Sequence, residues 1–317
     1  MRSARPLGRL LLRWLVGPLV TILVASFVIY GALALSPGDP VAAILGSRST
    51  AAARAAMTEQ LGLNQPILLR YVNWIGGALH GHFGLSFAYR TDVSSVIAPR
   101  IGTTALLVAM SAVLIIVVGV LLGSLGGISD RFRPVLSALV GLGVAIPGFV
   151  ASLVLVALFA VQLRWFPTFG AGIGLLDQVW HLTLPAVSLA IGWSAYIAQI
   201  TSASVREEAE KEHVTTAIGR GLPRLTVYRK HIFRNAAVPV LTAGGLTIAG
   251  LVAGSVVVES AFAVDGLGSL LVKGVAGKDY SLVAAISLII VTVFVVMTTL
   301  VDIAQTALDP ERRTGAH

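Results

Sequence analysis

Six intervals of the chain run for more than twenty residues without an ionised side chain, and no other feature constrains the fold as strongly. A bilayer core takes about 20 apolar residues in helical form, and inside it every backbone N–H and C=O must be paired within the segment. The first interval, Leu15 to Leu35, ends at Ser36-Pro37-Gly38-Asp39-Pro40, where proline and glycine stop a helix. The second runs from Ile101 to Ser129, the third lies between Arg133 and Arg164, and the fourth lies between Asp177 and Arg206 with an expected start near Leu184-Pro185. The fifth falls between Arg234 and Glu259, and the sixth between Asp279 and Asp302. The pattern predicts an all-α integral membrane protein with six transmembrane helices. Composition agrees: 12% of residues are charged, half of the roughly 25% that a soluble domain carries. The first interval follows four arginines but exceeds the usual signal-peptide core of about 7–15 residues, so it reads as an uncleaved anchor.

The basic residues orient the spans. With the N-terminus inside, segments 1–14, 126–134, 206–236 and 306–317 hold 15 of the 23 Lys and Arg residues. The outer segments hold 8, of which 5 sit in the long 36–100 loop. Both termini are therefore expected in the cytoplasm, and the net charge of +8 is a one-sided excess that requires no nucleic acid. The organisation read from the chain is a cytoplasmic N-terminus (1–14), a first span (15–35), a periplasmic or extracellular loop (36–100), a core of five further spans (101–305) and a cytoplasmic C-terminus (306–317). Cysteine is absent, which excludes disulfides and thiolate chemistry.

Within the core, segment 206–236 is far longer than a connection needs. It opens on the acidic helix-forming run Arg206 to His213, where negative charge favours a helix start. Gly221 suits the position after a helix end and Pro223 the first turn of the next helix. A helix, a sharp Gly-Leu-Pro break and a second helix are predicted. A solvated loop and a docking element for a cytoplasmic partner are both compatible with that pattern.

The same residues resemble the coupling motif of ABC importer permeases in the dipeptide/oligopeptide/nickel family, first-permease branch. Val214, Thr216, Ala217, Gly221, Leu222, His231, Arg234 and Asn235 match the motif in position, with Arg220 where lysine is usual. His213, Thr215, Ile218 and Gly219 depart from it. Further matches run along the chain: Leu35 to Val41 with Pro37, Gly38, Asp39 and Pro40; Leu61 to Pro66 with Arg70, Tyr71 and Trp74; Gly81 to Phe87 with Gly84, and His82 where aspartate is usual. Glu259, Phe262, Gly266-Leu267-Gly268 and Asp279-Tyr280 match near the last span, and Leu308-Asp309-Pro310 at the C-terminus. The resemblance implies a type I importer permease fold in a bacterial inner or plasma membrane. It implies a second homologous permease, two cytoplasmic ATPase subunits and an extracytoplasmic substrate-binding protein as partners. ATP and Mg would belong to those ATPases. The chain has no phosphate-loop signature of its own and is expected to bind no cofactor and to be no enzyme. Thr216, Ala217, Gly221, Leu222, Pro223, His231, Arg234 and Asn235 are then candidates for ATPase coupling. Arg220, Arg224, Arg229, Lys230 and Arg234 would pair with acids on the ATPase, while Leu222, Leu225 and Tyr228 would fill its groove.

Tyr196 and Gln199 in span four, and Thr242 and Thr247 in span five, are candidates for a polar pathway, although small polar residues also join helices. Glu259 and Asp302, ionisable residues at span ends, read either as functional candidates or as solvated at the interface. Gly119, Gly123, Gly126 and Gly127 allow close helix packing, and Pro147 should kink the third span. The six histidines show no i, i+4 pair, and no metal site is expected. An ion-driven secondary transporter is the alternative, but the inverted repeat and the midplane carboxylate that it would predict are not visible. A membrane enzyme would need paired catalytic groups in a span, and a channel a selectivity filter. The solute stays open among peptides, nickel complexes and glutathione-like compounds.

Overall fold

The computed structural model of the protein describes residues 5–36, 40–46, 49–60 and 62–308. Those residues are helical apart from turns and one isolated antiparallel bridge between Leu85 and Asp92. In chain order the helices are α1 (Arg5–Ala34), α2 (Pro40–Leu45), α3 (Ala51–Gln60), α4 (Ile67–Ala78), α5 (Val93–Ile128), α6 (Arg133–Ala145) and α7 (Gly148–Leu155), with a π-helical continuation over Val156–Gln162. There follow α8 (Leu175–Ala209), α9 (Glu212–Gly219), α10 (Arg224–Val227), a π-helical turn over Tyr228–Phe233, α11 (Arg234–Ala261), α12 (Leu267–Ala276) and α13 (Tyr280–Leu308). Five helical segments are long and apolar enough to cross a membrane, and six if α6 and α7 count as one broken span. Proline chemistry explains the break. Ile146, before proline, is extended with ψ 113°, Pro147 opens α7, and the two arms meet at 98°. The expected kink is a complete interruption.

Two span starts differ from the expectation. Helix α8 begins at Leu175 and carries Pro185 inside it. Proline removes one helical hydrogen bond, yet Leu182, Leu184, Pro185 and Ala186 are all buried, and packing holds the helix through it. Helix α5 begins at Val93, so Arg100 lies within it rather than closing the preceding loop. Its guanidinium is accommodated by Val96 O at 2.6 Å and by Asp265 at 2.8 Å.

The chain divides into two compact units, residues 1–104 with 265–296 and residues 105–264 with 297–317. In the first, Val93, Val96 and Ile97 of α5 pack with Leu267 and Leu270 of α12 and Leu282, Ala285 and Ile286 of α13. In the second, Leu107 and Ile115 of α5, Leu182, Leu189 and Ile197 of α8, and Leu251 and Val258 of α11 form the core with Phe262. The close packing expected of the glycines is the approach of α5 to α8. A Cβ at Gly119 would stand 2.7 Å from Ile197 Cβ, one at Gly123 2.5 Å from Ala198 O, and one at Gly127 2.8 Å from Val205 Cβ. These three glycines, four residues apart, form one smooth stripe on α5. Gly126 turns instead toward Leu136 of α6.

Candidate functional site

The acidic run that the sequence assigns to a separate helix is divided: Glu212 and His213 open α9, and Arg206 to Ala209 form the last turn of α8. A 35-residue helix is roughly 52 Å long, against about 30 Å of hydrocarbon, so this charged turn extends beyond any apolar slab. After the Glu210-Lys211 turn comes α9, only eight residues long. A helix of that length is unstable alone; α9 is held by its inner face, where Val214 and Ala217 pack with Val205, Val227, Ile232 and Ala236. It ends in a Schellman turn. Gly221 N–H donates to Ile218 O at 2.9 Å and Leu222 N–H to Ala217 O at 3.3 Å, with Gly221 at φ +75° as the left-handed residue that glycine suits. Pro223 then heads α10, whose helix runs through the π-turn into α11 without a gap. The second helix of the expected pair is therefore the entrance of span five, and α9 is the one free-standing piece.

A buried carboxylate fastens α9 to both neighbouring spans. Glu208 is 5% exposed. Its Oε2 pairs with Lys211 Nζ at 2.6 Å, and its Oε1 accepts Asn235 Nδ2 at 2.7 Å and faces His213 Nε2 at 3.3 Å. Asn235 Nδ2 also donates to His231 O at 3.3 Å, and His213 Nε2 lies 3.2 Å from the same carbonyl. Burial opposes the Glu208 charge, but hydrogen bonds from Lys211 and Asn235, with the positive charge of Lys211, outweigh it and hold the carboxyl below its usual value. The same bond, which Lys211 donates to Glu208, raises Lys211. Glu208 at the end of α8, His213 in α9, and His231 and Asn235 leading into α11 thus form one cluster.

The outward surface of α9 and its turn is mixed. Thr216, Gly221 and Pro223 are exposed, as are Ile218 (59%), Leu222 (39%) and Leu225 (68%). Arg220, Arg224, Arg229, Lys230 and Arg234 are exposed, and none makes an ion pair among the described residues. A notch of about 430 Å³ opens beside α9, bordered by Glu212, His213, Thr216, Arg220, Leu222 and His231. Tyr228, expected on the docking surface, is half-buried, with its ring 5.9 Å from Phe233 and its side chain against the apolar face under α9.

The remaining candidates are scattered. Tyr196 and Gln199 are exposed on one face of α8, and Trp193 meets the Tyr196 ring edge-on at 6.3 Å. Thr242 is half-buried and donates to Val238 O. Thr247 is 1% exposed with no partner for its hydroxyl among the described residues, so it lies in the packing and not on an open face. Glu259 is fully buried and accepts Ser255 Oγ at 3.3 Å, which corrects the reading of a solvated interfacial acid; Asp302 is exposed. Pro37, Gly38, Asp39, Asp309 and Pro310 lie outside the described residues, while Pro40 opens α2.

Two of the outer-loop matches do meet. Asp279, fully buried before α13, accepts Ser86 Oγ at 2.5 Å, Ala88 N–H at 3.0 Å and Leu282 N–H at 3.2 Å. Gly84, at φ +93°, accepts Val93 N–H at 3.0 Å, and Gly81 O accepts Ser94 Oγ at 2.9 Å. The Gly81–Ser86 segment is thereby clamped between the start of α5 and the start of α13. Among the described residues no group of three or more His, Cys, Asp or Glu side chains is placed to hold a metal ion.

Sequence reasoning missed Glu208 and Ile218. Glu208 is one of four acids within six residues, and nothing in the local pattern marks it as the one that turns inward. Its i, i+3 relation to Lys211 was the only signal.

Residues 115–314 match the family described as "Binding-protein-dependent transport system inner membrane component", and residues 7–108 match the corresponding N-terminal model of that transport-system membrane component. The "Probable peptide ABC transporter permease protein y4tP" of Sinorhizobium fredii (strain NBRC 101917 / NGR234) is 33% identical over 97% of this chain and 100% of its own length. The "Glutathione transport system permease protein GsiC" of Escherichia coli (strain K12) is 33% identical over 94% of this chain and 97% of its own. Among solved structures, an amino acid ABC transporter with histidines aligns at TM-score 0.54 and 18% identity, covering 68% of this chain and 94% of the other. The MetNI methionine ABC transporter in an inward-facing form aligns at 0.51 and 17%, covering 67% and 94%.

Proposed function

The chain belongs to the binding-protein-dependent transport system inner membrane components, and from that membership we propose that its 206–236 segment is the cytoplasmic coupling element of an importer for peptides or similar small solutes. It is a multi-pass membrane permease subunit of an ABC importer, a transporter component rather than an enzyme. In the proposed assembly it pairs with a second homologous permease, two cytoplasmic ATPases that hold ATP and Mg, and an external binding protein that delivers the solute. Both termini lie in the cytoplasm, in keeping with the excess of basic residues in the same segments. A peptide-like solute is favoured because relatives carry names for peptide and glutathione transport.

The observation that carries the coupling role is the attachment of α9. A lever must move as a body and must be tied to what it moves. The eight-residue helix is closed by the Gly221 turn and joined through Glu208 to the end of α8 and the entrance of α11. Closure of the ATPases against Ile218, Leu222 and the notch beside α9 would pass to two spans at once. Tyr196 and Gln199, on the exposed face of the first of them, and Thr242 on the second would sit nearest the resulting pathway. The clamp at Asp279 and Ser86 would hold the outer loop of its own unit while the spans move.

The test is reconstitution of the chain with its partner subunits in liposomes, reading solute uptake and solute-stimulated ATPase activity. Gly221→Glu, which forces a charged side chain into a left-handed turn on the docking face, should abolish both while the chain still inserts. Unchanged uptake and stimulation would remove the coupling assignment. Uptake driven by an ion gradient without ATP would remove the importer mechanism.

A further inference from the structure

A second cavity, unrelated to α9, lies in the unit formed by residues 1–104 and 265–296. It measures about 640 Å³ and opens where α1 ends, between α3, α4 and the first turn of α13. One part of its wall is aromatic, with Tyr30, Trp74 and Tyr280 among the lining side chains. Another part is charged, with Glu59 and Arg70 both facing it. Among the described residues neither of these two side chains has a hydrogen bond or ion pair. The Trp74 indole N–H is buried behind that wall, with no acceptor among the described residues. An unpaired carboxylate, exposed, and an unpaired guanidinium, half-buried, on one cavity wall suit a ligand bearing both signs of charge.

The surroundings say where such a ligand resides. Helix α4 has no buried residue and presents Leu68 (61% exposed), Leu69 (48%) and Val72 (58%) outward. Its other face sets Tyr71 and Trp74 against Tyr30 of α1, with ring centroids at 5.7 and 5.4 Å. An amphipathic helix with one bare apolar face and an aromatic seam beside a span end has the form of an interfacial element. The outer surface of α1 leading to it is also apolar and exposed, at Val24, Phe27 and Val28.

We propose that this cavity binds the headgroup of a zwitterionic phospholipid of the phosphoethanolamine type, its acyl chains lying along α1 and the apolar face of α4. Arg70 takes the phosphate by its forked donors. Glu59 takes the ammonium, supported by the faces of the aromatic rings. Because Glu59 balances Arg70, a headgroup carrying only negative charge is disfavoured.

Native mass spectrometry of the delipidated full chain, with tail-matched phosphatidylethanolamine and phosphatidylglycerol added in turn, tests the assignment. Phosphatidylethanolamine should be retained in preference. Arg70→Ala should lower its retention about tenfold, the effect expected of one charge-assisted contact. Glu59→Gln should erase the preference for phosphatidylethanolamine while keeping lipid bound. Equal retention of the two lipids by the native chain, or retention unaltered by both Arg70→Ala and Glu59→Gln, would overturn the proposal. Displacement of the lipid by millimolar glycylglycine would also overturn it, making the occupant a soluble zwitterion.

Discussion

Glu208 shows how one residue acquires a role from its surroundings. It is chemically no different from Glu207 or Glu210, but it points inward and gathers Lys211, His213 and Asn235. Its carboxyl lies below the ordinary value of 4.5. A group lowered on folding stabilises above its unfolded value, and that contribution disappears only as pH falls through the folded one. A spin label on Ile218→Cys should therefore stay immobile from neutral pH to about 4.5 and loosen only below. Glu208→Ala should free the label at every pH, and loosening in native sequence well above that value would contradict the linkage. The turns after α9 and α12 make a second comparison. Both end with a left-handed residue, glycine at 221 but Lys278 at φ 54° after α12. A side chain in that conformation costs roughly 1–2 kcal/mol, so Lys278→Gly should raise the melting temperature, by an amount corresponding to about 1 kcal/mol after the added freedom of glycine in the unfolded chain.

At the scale of elements, the helices were legible and their joints less so. Apolar length announced the spans because a bilayer demands it, and Pro147 announced a bend because its ring forbids a straight helix. Pro185 carried the same local signal and marked nothing, since burial on α8 outweighs one missing hydrogen bond. The glycine stripe on α5 was readable from spacing, but the neighbour it fits was not. Gly123→Val should destabilise by about 1–3 kcal/mol, because the new Cβ would meet a backbone carbonyl that cannot move aside. Gly31→Ala, on α1 where nothing lies within 4 Å, should be neutral or stabilising by about 0.5–1 kcal/mol. Thermal melting of the two purified variants separates the cases, and equal effects would show that the stripe is not a packing surface.

For the whole molecule, the absence of cysteine makes its sidedness directly measurable. Lys230→Cys should resist a membrane-impermeant maleimide in intact cells and react after permeabilisation, while His82→Cys should react in both; the reverse pattern would invert the topology. The sequence by itself determined that the chain is a helical membrane protein of six apolar spans, and its ordered motifs identified the importer-permease family. Those properties follow from solvent: hydrocarbon accepts only long uncharged helices, and charge remains where the water is. The tertiary structure alone decided that the third span breaks fully at Pro147, that α9 is the one free-standing helix of its segment, and that Glu208 anchors it to α8 and α11. It also decided that Glu259 is buried and that Arg70 and Glu59 share a cavity. These depend on which side of a helix meets a neighbour distant in sequence, and a local run of residues carries no record of that neighbour.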